Sequence, residues 1–103
     1  MIDLAADQLD EIRAILIRTV PGYEVRAFGS RVDGRAGTYS DLDLAVVAAD
    51  GGAVPGNRIQ ALRDAFSASN LPILVDVHDW STLSDSFRAA VGDAYELVQN
   101  AGA

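Results

Sequence analysis

No cysteine occurs among the 103 residues, so disulfides and thiolate metal sites are excluded from the outset. Lysine is missing as well: all eight basic residues are arginines, set against fifteen acids for a formal net charge of −7. An acidic chain without a basic cluster is a poor match for coating nucleic acid, where concentrated positive charge neutralises the phosphates. No run approaches the ~18 consecutive apolar residues that mark a membrane span. The opening MIDLAADQLDEIRAILIRT has neither the basic start nor the long apolar run of a signal peptide, so a cytoplasmic location is expected.

What the chain does have is apolar content. Half its residues are hydrophobic, too many for disorder, and the length suits one domain over residues 1–103 with room for a single sheet and a few helices. Leu9, Ile12 and Leu16 recur at helical spacing with Ile15 beside them, which predicts an amphipathic helix over 4–19. Asp3, Asp7, Asp10 and Glu11 precede Arg13 and Arg18, the order the helix dipole favours, and Pro21-Gly22 ends the helix. Alternation predicts a strand over 23–28, followed by a glycine-rich turn with one helical turn over 29–40 and an apolar strand over 41–48. After a loop over 50–57, Asn57 is expected to cap a helix to about residue 68 with Ile59, Leu62 and Phe66 on one face. Asn70-Leu71-Pro72 breaks it, and a third strand follows over 73–78. Ser81 or Thr82 is expected to cap a last helix carrying Leu83, Phe87 and Val91, with Thr82 and Asp85 as a capping box. Residues 94–98 fit either a helical end or a short edge strand. The expected fold class is α/β (α+β): a small mixed sheet with helices packed on it.

Inside this pattern, Asp41 and Asp43 bracket a leucine in an apolar strand. Strand side chains alternate, so both aspartates face one way, about 7 Å apart at Cα, while Leu42 and Leu44 face the other and enter the core. Two ionised carboxylates so placed repel one another, and burial worsens the repulsion; a shared cation relieves it. Asp76, flanked by Val75 and Val77, is a third acid in a similar setting, and three acids on adjoining strands make an oxygen-rich site suited to Mg²⁺. Acids and metal together match two-metal phosphoryl transfer, with Asp76 able to act as ligand or general base. Gly29-Ser30, after the first strand, fits a phosphate: glycine permits close backbone approach, and serine and nearby amides donate. A lone Asp-x-Asp usually marks a turn or a solvated face, and a lone Gly-Ser says less. The conjunction carries the signal.

In that conjunction the chain resembles the nucleotidyltransferases with the DNA polymerase β fold, whose signature is Gly-Ser, a spacer, then Asp-x-Asp. Gly29-Ser30 and Asp41-Leu42-Asp43 match it with a spacer of ten residues, Gly34 and Ser40 stand where a glycine and a serine are usual, and Asp76 matches the third acid. The resemblance spans about 25–80. By length the chain resembles the minimal nucleotidyltransferases, many of them antitoxins paired with HEPN-domain ribonuclease toxins. The resemblance implies transfer of AMP from ATP to a toxin tyrosine. Asp41, Asp43 and Asp76 would bind two Mg²⁺ ions, and Gly29, Ser30 and Ser40 would hold the nucleotide. Where many relatives carry arginine, three residues after the serine, this chain has Asp33; Arg31 and Arg35 are the cations at hand for the triphosphate. An antitoxin acting by binding alone, and transfer to a small-molecule acceptor, are the alternatives. Neither nucleic acid nor membrane is an expected direct partner, and a homo- or hetero-oligomer is compatible.

Other residues carry less. His78, the single histidine, is expected beside Asp76, with a metal or proton role set against that of an ordinary polar strand end. Asp79 is expected on the opposite face as a loop opener or cap, Trp80 under the sheet edge, and Tyr39 in the loop beside the acids.

Overall fold

The computed structural model describes residues 2–37 and 40–102. In chain order it contains α1 (Ala6–Thr19), β1 (Glu24–Phe28), α2 (Ser30–Asp33), β2 (Leu42–Val47), α3 (Gly56–Ser67), β3 (Val75–Asp79), α4 (Asp85–Val91) and β4 (Glu96–Gln99). The four strands form one mixed sheet in the order β3-β2-β1-β4. β1 runs antiparallel to both β2 and β4, while β2 and β3 are parallel and joined by the α3 crossover. No described helix is long and apolar enough to cross a membrane.

The alternation of the strands separates core from site. Leu42, Leu44 and Val46 of β2, Val25 and Ala27 of β1, and Val77 of β3 face α1 and α3, which contribute Ile12, Leu16, Ile59, Leu62 and Phe66 to the same cluster. Burying that apolar surface is the main stabilising term of the fold. The other face carries Arg26, Phe28, Asp43, Asp76 and His78, and α4 lies over part of it, with Phe87 packed edge-on against Phe28 at 5.8 Å. Leu42 and Leu44 are fully buried, as the alternation predicts.

Several boundaries differ from expectation. Helix α3 starts at Gly56 after Pro55, whose φ of −52° already suits helix entry, so Asn57 sits inside the first turn and is not the cap. The last helix is capped by Ser84, whose hydroxyl accepts from the Phe87 N–H at 3.1 Å. Ser81 and Thr82 instead form a 3₁₀ turn with Trp80 and bond to Asp79. The ambiguous tail is the edge strand β4, tied to the α1–β1 turn by the Gln99 amide, which donates to the carbonyls of Val20 and Tyr23 at 2.9 Å each.

Candidate functional site

β2 and β3 pair in a register that sets Asp43 opposite Asp76 and Ala45 opposite His78. On the other side β1 sets Phe28 opposite Asp43. The row Phe28–Asp43–Asp76 thus crosses three strands on one face. His78 belongs to the next row but leans over it: its Nε2 lies 3.3 Å from Asp76 Oδ2 and 3.8 Å from Asp43 Oδ1. One ligand atom from each of Asp43, Asp76 and His78 lies within 4.8 Å of the others. Asp41 stands one residue ahead of β2, exposed and outside that trio, yet near enough for its charge to act on Asp43.

The electrostatics follow from this crowding. Burial pushes the Asp43 carboxyl above the ordinary range; His78 draws it back, and the charges of Asp76 and Asp41 push it up further. Two carboxylates, one of them resisting ionisation, and an imidazole form a donor set that fits a divalent cation, whose charge removes the conflict.

Gly29 ends β1 and turns the chain into α2 at φ 83° and ψ −156°, a conformation essentially confined to glycine. A Cβ there would stand 2.6 Å from Asp43 Oδ2. The turn is therefore packed onto the acid. Ser30 opens α2, which Gly34 closes in the left-handed conformation with its N–H on the Ser30 carbonyl. The Ser40 hydroxyl accepts from the Gly37 N–H at 2.8 Å.

The two arginines flanking Asp33 have separate fates. Arg31 is buried, and its guanidinium donates to the carbonyls of Ser40 at 2.9 Å, Asp3 at 2.8 Å and Gly37 at 3.4 Å, so it pins the loop and the segment before α1. Arg35 is exposed and held by Asp33, with Nε 2.9 Å and Nη2 2.6 Å from Oδ2. The hydrogen bond from Arg35 holds the Asp33 carboxyl below its usual range. Both residues line a cleft of about 290 Å³ that Gly29, Asp43, Phe28 and Phe87 also border.

Asp79 lies on the core face, as expected, and accepts from the amides of Val54 at 2.9 Å and Ser81 at 3.0 Å and from the Ser81 hydroxyl at 2.8 Å. Trp80 forms one side of an aromatic clasp on Arg26, whose guanidinium carbon lies 4.9 Å from its ring and 4.4 Å from that of Tyr95. Arg26 and Phe28 escaped the sequence reading, although their alternation with Val25 and Ala27 puts them on the site face. Tyr39 lies outside the described residues.

Comparison with known proteins agrees with this geometry. Residues 9–96 match the model of the nucleotidyltransferase domain. A Haemophilus influenzae protein named as the probable protein adenylyltransferase MntA is 41% identical over 100 residues, covering 95% of this chain and 84% of its own length. A solved toxin–antitoxin structure with AMP-PNP superposes with a TM-score of 0.69 at 25% identity, over 89% of this chain and 73% of that one. A mutant MntA–HpeT toxin–antitoxin structure gives the same TM-score and coverage at 22% identity, and so speaks for the fold alone.

Proposed function

Because this chain belongs to the nucleotidyltransferase-domain family, we propose that it transfers AMP from ATP to a hydroxyl of a partner protein, a tyrosine of a HEPN-type ribonuclease toxin, and thereby acts as its antitoxin. The observation that carries the reading is the register of Asp43 against Asp76 on the face where the Gly29 turn packs. The adenylyltransferase name of the 41% identical relative and the toxin–antitoxin setting of the solved structures support the choice of nucleotide and partner.

Asp43 and Asp76, with Asp41 beside them, would hold the divalent cations, taken as two Mg²⁺. When bound, these supply charge against the triphosphate oxygens and acidify the acceptor hydroxyl. The chain's own groups do the rest. Gly29, without a Cβ, lets the backbone approach a phosphate, and Ser30 at the start of α2 donates to it. Arg35, held by Asp33 at the cleft that Asp43 borders, offers a planar cation to the phosphate oxygens. Ser40, whose hydroxyl accepts from the Gly37 N–H, would hold the nucleotide with them. The acceptor oxygen bonds to the α-phosphorus while the bond from that phosphorus to its bridging oxygen breaks. Asp76, whose side chain is 59% exposed, takes the hydroxyl proton, and pyrophosphate leaves.

The test incubates the protein with cognate toxin, Mg²⁺ and ATP labelled in the α-phosphate. AMP-labelled toxin is expected, with labelling abolished in the Asp41→Asn/Asp43→Asn double variant. Normal labelling by that variant overturns the assignment. Lost labelling with toxin neutralisation intact transfers the antitoxin role to binding alone.

A further inference from the structure

The trio at the centre of the site contains a nitrogen, and this has a chemical consequence for the metal. Resting on the nucleotidyltransferase reading, we infer that His78 ligates the divalent cation through Nε2 and thereby raises the centre's affinity for manganese(II) relative to magnesium.

Three observations place the imidazole as a donor. His78 and Asp76 stand two residues apart on β3, on the same face of the sheet. The residue opposite His78 on β2 is Ala45, whose methyl leaves the space through which the ring leans toward Asp43. The far ring nitrogen is the one that arrives, 3.3 Å from Asp76 Oδ2 and 3.8 Å from Asp43 Oδ1.

The ring is also held there. Phe28 packs on it at 5.7 Å with the planes inclined by 47°, and Phe87 packs edge-on against Phe28. A polar strand end serving only solubility has no need of such a backing. Here a tilted Phe28 ring backs the imidazole while two carboxylates face its Nε2.

The chemistry then decides between ions. Magnesium is a hard cation that takes oxygen ligands and keeps much of its water. Imidazole contributes little to it and more to first-row transition metals, while carboxylates suit both magnesium and manganese. A set of two carboxylates plus one imidazole therefore shifts affinity away from magnesium toward first-row transition ions, for which manganese(II) is the probe closest to magnesium in its oxygen preference, and the shift resides in His78 alone.

The experiment measures the ion itself. The protein is titrated with Mn²⁺, free ion is read from its electron paramagnetic resonance signal, and Mg²⁺ is added in competition. Pulsed spectra of the bound ion report nitrogen directly bonded to manganese. The wild-type protein should show ¹⁴N modulation that disappears in His78→Gln. Manganese affinity should fall in that variant by at least the roughly 10-fold that removing even a partner behind a ligand costs, while magnesium affinity changes less than about twofold. Bound manganese without nitrogen modulation in the wild-type protein overturns the inference, whether or not the variant folds, and leaves the AMP-transfer reading standing. Equal loss of affinity for both ions in His78→Gln also overturns it. Nitrogen-coupled manganese in a protein that never labels its toxin supports the inference and sinks the transfer reading instead.

Discussion

Replacing Gly29 by alanine imposes two penalties that can be told apart. The first is local. At φ 83° and ψ −156° the backbone is in a region that non-glycine residues occupy at a cost of about 1–3 kcal/mol. Unfolding entropies near 2.1 cal/mol/K per residue give a chain of this length about 0.2 kcal/mol/K, so the melting temperature should drop by about 5–14 °C. The second penalty falls on the site, because the new Cβ would sit 2.6 Å from Asp43 Oδ2. A side-chain carboxylate can rotate away cheaply, but rotation removes it from Asp76 and His78. Gly34→Ala is the matched control. Its φ of 86° is also left-handed, but a Cβ there meets nothing within 4 Å, so about 1–2 kcal/mol of strain is expected without any effect on the acids. Melting is followed by circular dichroism in chelator and in Mn²⁺, and AMP transfer is measured well below both melting points. Both variants should melt early. Only Gly29→Ala should lose the metal-induced rise in melting temperature and about 100-fold in transfer rate, the scale expected when a reacting group moves by about 1 Å. If Gly29→Ala transfers AMP and gains stability from metal as Gly34→Ala does, the glycine does not set the position of Asp43.

Three further outcomes follow from the same geometry. With metal chelated, Asp43→Asn should stabilise the protein at pH 7, because the folded state raises the Asp43 pKa and so favours its protonated form. Wild-type Asp43 contributes its stability below its unfolded pKa and loses it as pH rises through the raised folded value. The advantage of the Asp43→Asn variant over the wild type should therefore shrink as melting curves are taken toward pH 3. Arg31→Ala should destabilise by about 1–3 kcal/mol, since it strands carbonyls that its guanidinium satisfies, whereas Arg35→Ala should leave urea unfolding unchanged and raise the KM for ATP. Asp79→Ala should cost a similar 1–3 kcal/mol by orphaning the buried Val54 amide, and Asp41→Ala, at an exposed position, should unfold at the wild-type urea concentration.

What was legible in the chain was whatever short-range periodicity encodes. Leu42 and Leu44 alternating with Asp43 announce a strand with a core face and a site face, and the valines around Asp76 do the same for its partner strand. Both readings survive as register: Asp43 lies opposite Asp76. Local ambiguity defeated the helix starts. Ser81 and Thr82 read as caps, but both hydroxyls bond to Asp79, and Ser84, which the sequence reading passed over, caps the helix. Distance in sequence hid the rest. Nothing in the sequence around Arg31 announces that the carbonyls of Asp3, Gly37 and Ser40 converge on it. Similarly, the lean of His78 toward Asp43 depends on Ala45 and Phe28, which belong to two other strands.

The parallel pairing of β2 with β3 gives the site a mechanical side. β3 is an edge strand, reached through the α3 crossover, and Asp43 and Asp76 stand on opposite sides of the seam that holds it in the sheet. A cation held by both carboxylates would be a removable cross-link over that seam, closing a long chain loop whose entropy otherwise favours peeling. Amide hydrogen exchange along β3 should then slow when metal is added and quicken with chelator, while β1 and β4 keep their rates. Cation supply would thus govern both the reactivity of this domain and how tightly its outermost parallel strand is fastened.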